Sequence, residues 1–278
     1  MKEHCFLDIK RFIPVDESNK STDPWWQFSS AVDNYNKNRR ETINSSLLKV
    51  YDESMSAFRP RTSRFWNLPH LSCIDRKPKP LGAEFKVTNT TKVGIGLYLE
   101  IQRGRDGMAN AEFVSDMKKT AACCCRIAKG TVSSTHDEQR EGRVDTYLGD
   151  SWFASVDTVV QLKKRFNANF IGVIKTNHSK YPKKWLEEMM KEWPPGSHLL
   201  LKTTHDNVTL FTCGYKYLKR KVCCFIFTEG AGHTAGGHCY EAKWNDDNRY
   251  TMTKEFPYLQ VISKYFLESS IINTSMFV

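Results

Sequence analysis

Five consecutive residues without a polar side chain, Phe170-Ile-Gly-Val-Ile174, constrain the fold more than any other stretch of this sequence. So short and fully apolar a run is expected of a central strand buried on both faces. A sheet covered on both faces needs helices on each side, which points to an α/β architecture.

The runs around it agree. Leu47 to Asp52, Phe85 to Val87 and Val93 to Ile101 read as three strands, and in the last Val93, Ile95, Leu97, Leu99 and Ile101 alternate, so one face is buried. Phe113 to Ala128 reads as a helix with Phe113, Met117, Ala121, Cys124 and Ala128 on one face. In that helix one of Cys123, Cys124 and Cys125 is expected to be buried and its neighbours to lie sideways, as small apolar residues. Thr146 to Asp150 is the next strand, and Val156, Val159, Val160, Leu162 and Phe166 mark a second helix. Three strands followed by alternating helices and strands predict a mixed sheet flanked by helices, the element order of the RNase H-like fold.

Residues 1–45 read as helical, with Asp23-Pro24 as N-cap and first-turn proline and Trp25, Phe28, Val32 and Tyr35 as an apolar stripe. Beyond Ile174 the pattern changes. Pro182 to Trp193 is a short helix stopped by Pro194-Pro195-Gly196. Leu199–Thr203, Val208–Thr212 and Val222–Phe227 then read as strands joined by polar turns at Asp206-Asn207 and Lys219-Arg220, an antiparallel β-rich insertion. A last helix runs from Tyr258 to Leu267. The expected division is a helical segment at 1–45, an RNase H-like core at 46–178, the insertion at 179–256 and the final core helix at 257–278.

Bulk properties narrow the function. The net charge of +10 favours a polyanion such as nucleic acid, against the plainer reading of a basic, soluble surface. No apolar run approaches the ~18 residues of a membrane span, and the first residues do not form a signal peptide. Nine cysteines without a CxxC pair fit a reducing, intracellular setting. His233, His238 and Cys239 sit close together in a Gly-rich stretch, but no cysteine pair completes a zinc set, so a plain loop is expected there.

Two acids stand out. Asp52 and Asp150 each end an apolar run, where a rigid strand can aim a carboxylate at a divalent cation. Taken singly, each is expected to do no more than cap a turn. Basic residues follow the first one: Arg59, Arg61, Arg64, Arg76, Lys77 and Lys79 punctuate a polar, proline-bearing stretch to Gly82.

Three segments carry a resemblance. Tyr51-Asp-Glu-Ser-Met-Ser-Ala-Phe-Arg-Pro-Arg61 is similar to the piggyBac transposase signature around the first catalytic aspartate. Arg76-Lys-Pro-Lys-Pro-Leu-Gly82 resembles the segment leading into the second strand of that family. Leu148-Gly-Asp-Ser-Trp-Phe-Ala-Ser155 resembles the motif around the second aspartate, with Ser151 in place of the usual Asn. The likeness runs from about residue 5 to residue 273.

The resemblance implies a DDE/DDD-type domain in which three carboxylates hold two Mg²⁺ ions for phosphoryl transfer on DNA. Asp52 would bridge the metals and Asp150 would hold one of them. Counting from Tyr265, the third acid position is Asn273, an amide without charge. Glu268 lies about 140° away around a helix at ~100° per residue and is a poor substitute. Glu53, adjacent to Asp52, points to the opposite face of its strand. The resemblance therefore implies a transposase remnant inactive in strand cleavage. Measured against the family the sequence looks short at both ends, stopping five residues past Asn273 and lacking the cysteine-rich zinc domain that some members carry. DNA as partner, a nuclear location and a possible homodimer come with the same resemblance.

Two other readings stay open. One is a retained DNA-binding or interaction module without catalysis, using Arg59, Arg61, Lys77, Lys79, Lys175, Lys180, Lys183 and Lys184 on phosphates, and Trp152 or Trp185 on an unpaired base. The plainer alternative there places both tryptophans in the core and the lysines in solvent. The other is an active metal nuclease. Lys216 to Lys221 can be read as a nuclear-import signal, but a charged hairpin turn is the expected reading.

Overall fold

The structure is a computed structural model that describes residues 22–43, 45–57, 70–75, 80–91, 94–132, 144–175, 178, 180–228, 239–245, 251–257 and 259–269. Arg59, Arg61, Lys77, Lys79, His233, His238 and Asn273 lie outside these residues.

The chain opens with helix α1 (Trp26–Thr42) and then strand β1 (Leu48–Ala57). Asp23 caps the turn before α1 by accepting the Trp25 N–H at 2.8 Å, so the helix proper starts two residues later than a cap at Asp23 predicts. Trp25 is buried against Ala83 and Ile101, whereas Phe28 of the expected stripe is exposed. Strands β2 (Ser72–Cys73), β3 (Leu81–Thr90) and β4 (Gly96–Ile101) follow. The Asn36 amide of α1 bonds both the N–H and the C=O of Leu99, which closes the outer edge of β4 against further pairing.

A single turn, α2 (Gly104–Gly107), precedes α3 (Lys119–Thr131), β5 (Thr146–Gly149), α4 (Val156–Phe166) and β6 (Asn169–Ile174). The sequence predicts α3 from Phe113, but it begins at Lys119 because Phe113 takes a left-handed φ of 68°. Tertiary contact overrides the local helical pattern there. The Phe113 ring sits edge-on to Phe166 at 6.5 Å, with the Arg165 guanidinium 5.0 Å from its centre. Cys123, Cys124 and Cys125 are all buried, correcting the expectation of one buried thiol with two at the sides, since all three belong to the core cluster that also takes in α4 and the sheet.

Helix α5 (Lys183–Met189) leads into β7 (His198–His205), β8 (Val208–Leu218) and β9 (Lys221–Thr228), longer than the predicted strands. The β7–β8 turn is made by Asp206 and Asn207, both at positive φ, as a two-residue hairpin requires. Lys219-Arg220 turns β8 into β9, so the basic run is the hairpin expected of it. A separate two-stranded hairpin, β10 (Cys239–Asn245) and β11 (Thr251–Pro257), was not legible in the sequence; helix α6 (Gln260–Ser269) follows.

Among the described residues nine strands form one mixed sheet in the order β2-β3-β1-β5-β6-β9-β8-β7, with β4 also on β3. Within it β1, β5 and β6 are parallel neighbours, and β3 and β9 flank them antiparallel. Helices α3, α4 and α5 cover one face, over Tyr51, Tyr147 and Phe170. Helix α6 covers the other, over Val50, Leu148 and Ile171. Four of the five residues of the Phe170–Ile174 run are buried, as a central strand requires, and Val173 is half-buried.

Candidate metal and nucleic-acid site

Strand β1 continues five residues past Asp52, because β3 pairs with it from Lys49↔Thr90 to Ala57↔Gly82. Asp52 therefore lies inside a strand and not in a turn. The parallel ladder to β5 ends sooner, at Tyr51↔Gly149. One step beyond that rung come Asp52 on one strand and Asp150 after the other. Alternation sends Asp52 to the side of Val50, and Asp150 follows the same alternation from Leu148. Both carboxylates thus sit at the carboxyl end of two adjacent parallel strands, on the face covered by α6.

The turn after β5 is closed by Asp150 itself. Its carbonyl accepts the Phe153 and Ala154 N–H groups at 3.1 and 3.0 Å, and its Oδ1 accepts the Trp152 N–H at 2.8 Å. The modest capping role expected of a lone strand-end aspartate is real here, and the carboxylate keeps further lone pairs for a ligand. Gly149 is needed just before it, since a Cβ there would lie 2.9 Å from both Phe153 and Phe170. Ser155 then caps α4 by accepting the Thr158 N–H at 3.1 Å.

Tyr265 joins this site. Burial raises its phenol pKa well above the ordinary value, and the carboxylates of Asp150 and Asp52 raise it further. Tyr265 packs on the cluster that holds Val50 and Leu148, each two residues before one of the aspartates, which brings α6 over that end of the ladder. The signal in the sequence was its place on the α6 stripe with Ile262. Lys264, one residue earlier, has its pKa lowered by burial, against the pull of Glu268. Glu53 is buried on the opposite face, cross-strand from Lys86, as strand alternation predicts.

Two carboxylates are hard-oxygen ligands of the kind Mg²⁺ takes. Among the described residues, however, no group of three or more His, Cys, Asp or Glu is placed to hold a metal, so these residues do not complete a three-carboxylate, two-metal centre.

The basic candidates are dispersed. Lys175 is exposed just past β6, at the same sheet edge as the aspartates, and Lys184 is exposed on α5. Lys180 is ion-paired with Asp157 at 2.9 Å, and Lys183 with Glu187 at 2.6 Å. Trp152 and Trp185 are 40% and 45% exposed, so neither is a core residue, contrary to the plainer reading. Trp152 stands in a tight turn, and Trp185 on a surface helix whose buried residue is Leu186.

No family model matches the sequence, and no curated protein matches it. Its fold is similar to that of a piggyBac transposase. The solved structure is the cryo-EM structure of a piggyBac transposase synaptic complex with hairpin DNA. The match has a TM-score of 0.65 at 15% sequence identity and covers 95% of this chain. It covers 46% of the transposase chain, so this protein spans less than half of that length. Among the described residues no helix is long and apolar enough to cross a membrane.

Proposed function

We propose that this chain is a piggyBac-type transposase-derived domain that retains a DNA-binding surface and a carboxylate pair but does not cleave DNA strands. The observation that carries the reading is the register: Asp52 and Asp150 stand side by side at the end of the β1–β5 ladder, under α6, in a fold shared with a transposase. The strand order β4-β3-β1-β5-β6, with β5 and β6 parallel to β1, is also the order an RNase H-like core would have. In this reading residues 46–178 form that core, 179–256 are inserted, and 257–278 return to it.

Loss of cleavage rests on Asn273 at the third acid position. Two anions hold a dication pair far less well than three, because each lost charge leaves the Mg²⁺ ions unneutralised. An acid supplied by Glu53 is disfavoured by its burial on the other face. The exposed tryptophans and Lys175 and Lys184 support a retained binding surface, and a module kept for binding alone is the second reading. A nuclear location belongs to the same proposal and rests on the likeness to the transposase.

Nicking of supercoiled plasmid with Mn²⁺, alongside duplex binding across a salt series, tests the proposal. Expected are no nicking and an affinity that falls steeply with salt. Mn²⁺-dependent nicking that disappears in Asp150→Ala would contradict it.

A further inference from the structure

Trp152 is a large aromatic ring held rigidly and left 40% exposed. Its backbone N–H is fixed by Asp150 Oδ1 at 2.8 Å, and Phe153 packs edge-on at 4.7 Å. The Lys86 ammonium lies 3.6 Å from the ring centre. Lys86 is only 2% exposed and is ion-paired with Glu84 at 2.7 Å, so the ring face it covers is closed to solvent. The exposed area of Trp152 therefore belongs to the other face and the rim.

Two clefts meet at this ring. One runs past Arg105, Lys119 and Gln102; the other runs past Lys118, His178 and Lys180. Lys119 and Arg105 are exposed and make no ion pair with the described residues. Asp157 bridges Lys118 and Lys180 at 2.9 Å each, a trio that remains net positive. A flat π surface with cations on both sides matches a nucleotide strand, which offers flat bases and regularly spaced phosphates. Double-stranded DNA hides its base faces and cannot use the ring.

We propose that Trp152 is the stacking platform of a binding site for unpaired DNA, with Lys118, Lys119, Arg105 and Lys180 receiving the phosphates on either side. The proposal rests on the DNA-binding reading above and adds a preference for unpaired strand beside the Asp150 turn.

Fluorescence anisotropy with a labelled oligothymidylate of about a dozen nucleotides, and with a duplex of equal length, tests it at matched salt. The native protein is expected to bind the single strand more tightly. Trp152→Ala should weaken single-strand binding about tenfold and leave duplex binding within about twofold. Trp152→Phe should keep most of the single-strand affinity, which guards against a mere folding defect. Phe28→Ala, at an exposed aromatic of α1 outside both clefts, should have no effect. Lys119→Gln should lower both affinities and reduce the salt slope by about one. A native protein that binds duplex but not single strand overturns this proposal and leaves the DNA-binding reading standing. Binding to neither overturns both. Equal losses in Trp152→Ala and Phe28→Ala, or tighter binding of oligouridylate than of oligothymidylate, also overturn it.

Discussion

Asp52 and Asp150 are placed by residues that do not touch them. At the opposite end of the same two strands, Lys49 of β1 and Asp145 before β5 form an ion pair with 0% and 4% side-chain exposure. Lys49 also lies 5.5 Å from the Tyr147 ring centre, and the Thr131 and Tyr147 hydroxyls are bonded at 2.9 Å beside it. The pair bonds β1 to the chain entering β5 and so fixes the register that sets the aspartates level. Burying two charges is costly, and removing one of them strands the other. Asp145→Ala should therefore lower unfolding stability by about 3–5 kcal/mol in a urea titration. Lys49→Met combined with Asp145→Leu should recover most of that loss, because neither charge then remains. Nothing in the sequence singled out this pair. Lys49 sits inside an apolar run, and its partner is 96 residues away.

At the scale of elements, those whose local signal agrees with their surroundings were legible and the rest were not. Helix α4 carries its stripe, a Ser155 cap and an end at Asn167, and it spans the predicted Val156–Phe166. Asn167 takes the left-handed conformation at φ 48°, and its N–H reaches the Leu162 and Lys163 carbonyls. Asn167→Gly should leave thermal unfolding nearly unchanged, while Asn167→Val should cost roughly 1–2 kcal/mol, since a β-branched residue clashes at positive φ. The apolar signal of β1 ends at Asp52, because Glu53, Ser54 and Ser56 add none to it; pairing with β3 carries the strand to Ala57. The start of α3 differs from its sequence pattern for the converse reason. Phe113 and Met117 do pack on the core at helical spacing, but they reach it from turns.

For the whole molecule, the decisive fact is a register. The sequence showed two acids at the ends of apolar runs, but only the parallel pairing of β1 with β5 brings them level, across nearly a hundred intervening residues. The stripe of α6 is legible in the sequence, but the approach of Tyr265 to that pair is not, because it depends on packing against β6 and β9 through Ile171 and Phe225. Under the proposed function, what distinguishes a remnant from an enzyme is charge at the third position, Asn273. The most direct test of the central claim is a calorimetric titration of Mn²⁺ into the native protein, Asn273→Asp and Asp150→Ala. Weak or absent binding by the native chain, a gain in Asn273→Asp, and none in Asp150→Ala is the predicted pattern. Tight binding by the native chain that Asp150→Ala abolishes would contradict it.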